Sequence, residues 1–159
     1  MNFSSLGNDI GVSYQTIKRW VSVLENTNII LLLSPYYRNF NKRVIKSPKL
    51  YFNDPGLASF LLGIKSPKDL HSHFARGALF ENLIIGEIVK SFYNAGTEPP
   101  AYFWRDSAGN EIDLLIDLRN EMYPVEIKSG KTFASDSLNM IRAFCALSGT
   151  KPKNGALVY

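Results

Sequence analysis

Apolar and acidic residues alternate along the segment 111–130, EIDLLIDLRNEMYPVEIKSG, and a pair of β-strands accommodates this pattern. Apolar side chains at every second position are typical of a half-buried strand, and a turn at Arg119–Glu121 separates the two runs. Asp113 lies in the first predicted strand, whereas Glu126 and Lys128 lie in the second. We expect these three side chains to share a face that suits a divalent metal ion. The alternative is an exposed face that is merely charged.

The composition limits the class of protein. With 159 residues, of which 45% are hydrophobic, the chain can bury a core and form one or two small domains. No apolar run approaches the roughly 20 residues that span a bilayer, so we expect no membrane partner. The single cysteine, Cys145, excludes an internal disulfide and favours a cytoplasmic location. The chain begins within a helical pattern and ends on the apolar run 156–159, which predicts a fragment of a longer protein.

Charge is distributed unevenly along the chain. Residues 1–70 contain nine Lys or Arg and four Asp or Glu, which gives +5, whereas residues 71–159 contain nine and ten, which gives −1. A basic first half and an acid-rich second half predict two modules with different roles. A positive module is compatible with nucleic acid, although many proteins of this charge bind none.

The first module is predicted to contain a helix-turn-helix. Apolar residues recur at helical spacing from Ile17 to Leu24, and Ser13 is a suitable N-cap for a helix that runs to Asn26. A short helix and a glycine-containing turn precede it at 6–12. The opposite face carries side chains that can contact phosphates and bases, namely Gln15, Lys18 and Arg19. The alternative is an ordinary amphipathic helix.

The following segment, 28–48, is predicted to form the wing of a winged helix. Residues 29–33 read as a buried strand, and a returning strand is expected at 43–46. Interleaved cations and aromatic rings in this hairpin suit a phosphate backbone, and the candidate contacts are Arg38, Lys42, Arg43 and Lys46. A solvated edge protected by charge is the alternative. We therefore predict a winged-helix-like DNA-binding module at 1–63, truncated at its N-terminus, and a linker at 64–75.

The second module, 76–159, is predicted to run helix, three strands, helix, strand. The first helix spans Arg76 to Asn94, and helical stepping places Glu81 in the middle of its apolar stripe. A carboxylate on a buried face is costly unless it is paired or bound to a metal. Either an ion pair with Arg76 or Arg105, or a metal ion, would satisfy Glu81.

The ordered set of residues resembles the PD-(D/E)XK nuclease superfamily, in which a helix bearing a glutamate precedes an acid and then an acid-x-lysine on neighbouring strands. The chain as a whole is similar to the uncharacterised domain that follows the ATPase module of many prokaryotic AAA-type ATPases. In that family a winged-helix-like part leads into a restriction-endonuclease-like part. The residues that carry the resemblance are 49–52 with Asp54 and Gly56, Gly77, Phe80–Asn82, Trp104–Arg105, Glu111–Asp113 and Val125–Gly130.

The resemblance implies a mixed α/β (α+β) fold with an α-β-β-β-α-β core at 76–159, truncated at its C-terminus. It implies Mg²⁺ or Mn²⁺ held by Asp113, Glu126 and Glu81, with the Ile127 carbonyl as a further ligand and Lys128 completing the catalytic set. The chain departs from the pattern at Ile112, where the family motif has proline. An ATPase module of the same parent chain would lie upstream, and ATP would bind only there because no phosphate-binding loop motif occurs here.

Three functions are compatible with the sequence. The first is a DNA-binding, metal-dependent, nuclease-like region of a prokaryotic AAA-type ATPase that hydrolyses phosphodiester bonds. The second is a catalytically inactive nuclease-fold module that serves DNA binding or homo-oligomerisation of the parent ATPase. The third is a DNA-binding regulator whose second half senses a ligand. Whether the chain is an enzyme is left open between them.

Overall fold

Helices and short strands alternate along the chain and form a mixed α+β structure with two sheets. The computed structural model describes residues 2–37, 40, 47–130 and 138–159. The helices are α1 (Phe3–Ile10), α2 (Tyr14–Asn26), α3 (Pro55–Leu61), α4 (Pro67–Ser72), α5 (Arg76–Asn94) and α6 (Asn139–Ser148). The strands are β1 (Ile30–Leu33), β2 (Lys49–Phe52), β3 (Ala101–Arg105), β4 (Glu111–Leu118), β5 (Glu121–Ile127) and β6 (Ala156–Val158).

Helices α1 and α2 form the helical pair predicted near the start of the chain. Ser13 caps α2 by accepting a hydrogen bond from the Thr16 N–H at 3.1 Å, as its sequence position predicted. Gly11 ends α1 with φ 79°, a left-handed conformation that glycine adopts without a steric penalty. Ile17 is buried in the small core under α2, but Trp20, which was expected on the same face, is half exposed.

Strand β1 pairs antiparallel with β2 in the first sheet, with Ile30 opposite Phe52. The return strand that we predicted at 43–46 lies outside the described residues, so the wing remains a prediction. After β1 the chain runs beside β3, where the Tyr36 N–H donates to the Phe103 carbonyl at 2.7 Å. This contact joins the first half of the chain to the second sheet.

The second sheet has the order β3-β4-β5-β6, in which β5 and β6 are parallel and the other neighbours are antiparallel. Helix α5 covers one face through Ile85 and Val89, and α6 covers the other through Ile141 and Phe144. The elements follow one another in the predicted order. Helical spacing of apolar residues predicts the last helix over 132–148; its first residues lie outside the described part of the chain, and α6 is seen from Asn139.

The two halves of the chain share one hydrophobic core. Leu33 of β1 and Tyr51 of β2 lie in the same buried cluster as Ile85 of α5. The buried Asn82 side chain bonds both main-chain groups of Phe52, accepting from its N–H at 2.7 Å and donating to its carbonyl at 2.6 Å. Helix α5 is thereby joined to β2 by hydrogen bonds as well as by packing. The segment 64–75, predicted as a linker, contains the short helix α4.

In the part of the chain that the structure describes, no helix combines the length and the apolar character that crossing a membrane requires.

Candidate active site

The β4–β5 hairpin brings Asp113 beside Glu126. Its turn contains Arg119 and Asn120 with φ of 54° and 64°, and two consecutive positive values match the twist of a tight hairpin. Leu114 pairs with Val125, and Asp113 and Glu126 are the residues next to this pair, one on each strand. The turn therefore sets the register on which the site depends.

A bulge in β4 changes the pattern that we predicted for this strand. Tyr102 pairs with Leu115 and Trp104 with Ile112, so two residues of β4 face the single residue between them on β3. Leu114 consequently packs on the α5 side of the sheet, whereas Ile112 and Leu115 pack on the α6 side. The predicted half-buried alternation is wrong here, because both faces of β4 are covered and its register shifts.

Asp113, Glu126 and Lys128 converge on one point at the end of β5. Lys128 Nζ lies 2.5 Å from Glu126 Oε1 and 3.7 Å from Asp113 Oδ2. The Ile127 N–H donates to Asp113 Oδ2 at 2.9 Å, which fixes that carboxylate against β5. Both acids are buried, and Glu126 Oε2 has no hydrogen-bond partner among the described residues. These side chains therefore do not form the exposed charged face that was the alternative.

Burial shapes the protonation of these groups. Removal from water raises the pKa of Asp113, against the opposing effects of the Ile127 N–H and the Lys128 ammonium group. Burial also raises the pKa of Glu126, and the negative charge of Asp113 adds to the rise. Burial alone would lower the pKa of Lys128, but its hydrogen bond to Glu126 and the nearby Asp113 outweigh this and raise it. A bound cation would relieve the cost of charging both acids.

Glu81 lies on α5 and is held by two residues of β2. Its Oε1 accepts from Lys49 Nζ at 2.9 Å and from the Tyr51 hydroxyl at 2.5 Å. The partners that we predicted make other contacts: Arg76 donates to the Ser129 carbonyl at 2.6 Å, and Arg105 Nε lies 3.2 Å from Glu111 Oε2. A structural ion pair is thus observed for Glu81, but with a different cation.

Sequence reasoning missed Lys49 and Tyr51 as parts of this cluster. Lys49 also forms an ion pair with Glu111, and a groove of about 490 Å³ runs beside Lys49 and Glu81. Burial raises the pKa of Tyr51, as does the adjacent charge of Glu81. A signal existed in the alternation of β2, because Lys49 and Tyr51 are two residues apart and share a face. The partners of Lys49 and Tyr51, however, depend on helix α5, which is distant in the sequence.

The oxygen ligands suit a hard divalent cation, although the described residues do not form a complete set of ligands for one. Within 2–37, 40, 47–130 and 138–159, no three His, Cys, Asp or Glu side chains are arranged to hold a metal ion. Asp113 and Glu126 offer carboxylate oxygens, the ligands that Mg²⁺ prefers, and the buried Glu126 Oε2 is unpaired among the described residues. The predicted ligand Glu81 is engaged by Lys49 and Tyr51 at Oε1.

The residues predicted to contact nucleic acid lie apart from this cluster. The side chains of Gln15, Lys18 and Arg19 are exposed on α2, on the side opposite the buried Ile17. The other predicted contacts lie outside the described residues, namely Arg38, Lys42, Arg43 and Lys46. A nucleic-acid surface at these positions remains a prediction.

Fold and site together define a mixed α+β protein with a partly buried cluster of carboxylates and lysines where β2, β4, β5 and α5 meet. The chain belongs to the family described as "Domain of unknown function (DUF4143)", whose model matches residues 76–159. A second model, described as "Domain of unknown function (DUF8612)", matches residues 1–68. Lys49 and Tyr51 fall in the second match and the acids fall in the first.

Two curated mycobacterial proteins are similar to the chain. They are "Uncharacterized protein Mb2031c" of Mycobacterium bovis and "Uncharacterized protein Rv2008c" of Mycobacterium tuberculosis. Each is 30% identical over 129 residues, which is 81% of this chain. The chain spans 28% of the length of these relatives. No solved structure matches the chain.

Proposed function

We propose that this chain is a DNA-binding, metal-dependent nuclease-like region that hydrolyses phosphodiester bonds. The observation that carries the proposal is the convergence of Asp113, Glu126 and Lys128, with one ammonium group reaching both carboxylates at 2.5 and 3.7 Å. The order helix, three strands, helix, strand in residues 76–159 supports a restriction-endonuclease-like core. Strand β5, which leads into the acid-x-lysine segment, pairs in parallel with β6, and this pairing supports the same assignment.

Each residue has a role that its chemistry supports. Asp113 and Glu126 would hold Mg²⁺ or Mn²⁺ through carboxylate oxygens. The bound ion would supply neutralisation of the phosphate charge and a water of lowered pKa. Lys128 is protonated at neutral pH, as an ordinary lysine is, and its contacts with Glu126 and Asp113 raise its pKa further, so it would orient the attacking water and stabilise negative charge on the phosphate. Glu81 contributes its negative charge nearby, with its Oε1 engaged by Lys49.

The substrate and the parent protein complete the proposal. Gln15, Lys18 and Arg19 would contact DNA from the exposed face of α2, which supports the winged-helix-like assignment of the first module. The curated relatives are longer than this chain, and we assign an ATPase module to the remainder of the parent protein. ATP would bind there.

Cleavage of DNA by the purified chain tests the proposal. Supercoiled plasmid is incubated with Mg²⁺ or Mn²⁺, and nicked and linear products are followed over time for the unaltered chain and for Lys128→Ala. We expect loss of the ammonium group to lower the cleavage rate roughly 100-fold or more, because it removes the positive charge that would stabilise the transition state. Chelation of the metal with EDTA should stop cleavage.

Lys90→Ala is the matched control. Lys90 is half exposed on α5 and pairs with Glu87 away from the cluster, so this variant removes one lysine charge without touching the site. It should cleave at the rate of the unaltered chain. Equal cleavage by the unaltered chain and Lys128→Ala, or none by either, would contradict hydrolysis at this site. DNA binding without cleavage in all variants would favour the non-catalytic alternative.

A further inference from the structure

We infer that Lys49 is a fixed cation of the site, which occupies the position of a second metal ion and limits the site to one divalent ion per chain. The inference rests on the proposed function, because it concerns how many ions the same carboxylate cluster accepts. It adds a positioning residue from the first half of the chain, which neither family description assigns to any activity. Its evidence is the way in which the cluster divides into two pairs of acids.

The first pair, Asp113 and Glu126, is adjacent to Lys128, whose side chain is 48% exposed. This lysine projects from the end of β5 and is free to move on its flexible stem when an ion arrives. Glu126 Oε2 is buried and has no hydrogen-bond partner in the described part of the chain. The first pair therefore retains an unused carboxylate oxygen that a cation can take.

The second pair, Glu81 and Glu111, is closed around Lys49. A single Nζ atom lies 2.9 Å from Glu81 Oε1 and also contacts Glu111 Oε1, so both acids face one ammonium group. The side chain of Lys49 is only 21% exposed, less than half the value for Lys128. Its Nζ also lies 5.5 Å from the centre of the Phe103 ring, a cation–π distance that restricts it further.

Two further donors contact the second pair. Tyr51 donates to Glu81 Oε1 at 2.5 Å, and Arg105 Nε lies 3.2 Å from Glu111 Oε2. Two carboxylates this close would repel each other if no cation lay between them. Lys49 supplies that cation without exchanging with solvent. The fold thus holds one positive charge permanently and leaves one place for a metal ion.

The number of Mn²⁺ ions bound per chain tests this inference directly. Free Mn²⁺ is measured by its paramagnetic resonance signal as metal is titrated into the full chain. The unaltered chain should bind one ion in the site. Lys49→Met, which keeps an unbranched, flexible side chain one atom shorter and removes its charge, should bind one ion more. Lys49→Arg should show no gain, because it keeps the positive charge.

Further variants assign the added ion to its ligands. Glu111→Gln in the Lys49→Met background should abolish the gain, since it removes one acid of the second pair. Lys90→Met removes a lysine charge from α5 outside the site and should leave the ion count unchanged. Circular dichroism confirms folding of every variant. Lys49→Gln, which keeps hydrogen-bond donors for both acids, replaces Lys49→Met if the latter does not fold.

The ion gained by Lys49→Met tests the role of Lys49, and the number of ions bound by the unaltered chain tests the metal site. Failure of Lys49→Met and Lys49→Gln to gain an ion, or a gain that survives Glu111→Gln, would overturn the role of Lys49. Two ions in the unaltered chain would overturn it as well. An unaltered chain that binds none would count against the metal site at Asp113 and Glu126, whereas a gain of one in Lys49→Met would still support the fixed cation.

Discussion

Glu126 carries the least satisfied charge of the site. One of its oxygens contacts Lys128, and the other is buried without a hydrogen-bond partner among the described residues. Charging a carboxylate in such a place costs free energy of folding, because water solvates it better than the protein does. This cost is what a metal ion would offset. Without metal, the cost should be measurable.

Glu126→Gln should therefore stabilise the metal-free protein near pH 7. The raised pKa of Glu126 means that the folded state binds the proton more tightly than the unfolded state does. Glu126 consequently makes the unaltered protein lose stability as pH rises from the ordinary value of 4.5 through the raised pKa, and the glutamine variant lacks this contribution. Thermal midpoints are measured in EDTA between pH 4 and pH 7.

The difference between the two midpoints should be small at pH 4 and should grow toward pH 7. Glu121→Gln is the matched control, because this residue is exposed and its pKa is lowered by Tyr123 and Lys151. In the control, the glutamine variant should lose stability relative to the unaltered chain as pH rises. A Glu126→Gln midpoint that falls relative to that of the unaltered chain between pH 4 and pH 7 would contradict the assigned pKa direction.

For individual side chains, the sequence predicts those neighbours that strand periodicity determines. Glu126 and Lys128 are two residues apart on one strand, so their shared face follows from local geometry. Glu81 stood out because a charge interrupts an apolar helix stripe. Its partner was mispredicted, since Lys49 is distant in the chain and reaches Glu81 only through the packing of β2 on α5. Long-range contacts of this kind leave no local periodic signal.

Among the elements, helix α1 has no room for a side chain at Gly7. A Cβ atom there would lie 2.7 Å from the Val12 carbonyl oxygen, which cannot move without shifting the turn between α1 and α2. Gly7 is buried, so the pair of helices depends on the absence of a side chain. A glycine in the middle of a helix is otherwise unfavourable.

Gly7→Ala should lower the free energy of unfolding by about 1–2 kcal/mol, because overpacking exceeds the gain in helix propensity. Gly86→Ala is the control, since no described atom lies within 4 Å of the Cβ position on α5. That variant should gain up to about 1 kcal/mol from propensity alone. Urea denaturation followed by circular dichroism measures both. Equal effects in the two variants would contradict a steric role for Gly7.

The elements themselves were largely predictable, and the bulge was not. Helix α5 runs from Arg76 to Asn94, as its apolar spacing and the following glycine and prolines indicated. The shift at Asp113–Leu114 leaves no mark in composition, because α6 covers the second face of β4 and makes apolar residues acceptable on both sides. A pattern read as half-buried was therefore a strand covered on both faces along Ile112–Leu115, with one extra residue.

For the whole molecule, the shared core predicts that both halves unfold together. Leu33 and Tyr51 pack in the cluster that contains Ile85, so opening either half exposes apolar surface of the other. Trp20 reports on the first half and Trp104 on the second. In Trp20→Phe and in Trp104→Phe, the remaining tryptophan emission should change at the same denaturant concentration as the far-ultraviolet circular dichroism of that variant.

Separate midpoints for emission and circular dichroism in either variant would contradict a shared cooperative unit. Removing the buried Trp104 lowers stability. The comparison is not affected by this loss, because both signals are measured in the same variant. The predicted domain limits were drawn from charge and composition along the chain. Contacts such as that between Leu33 and Ile85 join residues far apart in sequence, and composition carries no information about them.

The two hydrogen bonds between the Asn82 side chain and the main chain of Phe52 affect how related sequences can diverge. Asn82 recognises the N–H and the carbonyl of Phe52 and makes no demand on the phenylalanine ring. Both hydrogen bonds can therefore persist when another apolar side chain replaces Phe52, whose ring packs against the small core under α2. Replacing Asn82, in contrast, removes the amide that makes both hydrogen bonds. Selection should therefore act more strongly on position 82, and related chains should vary at position 52 more readily.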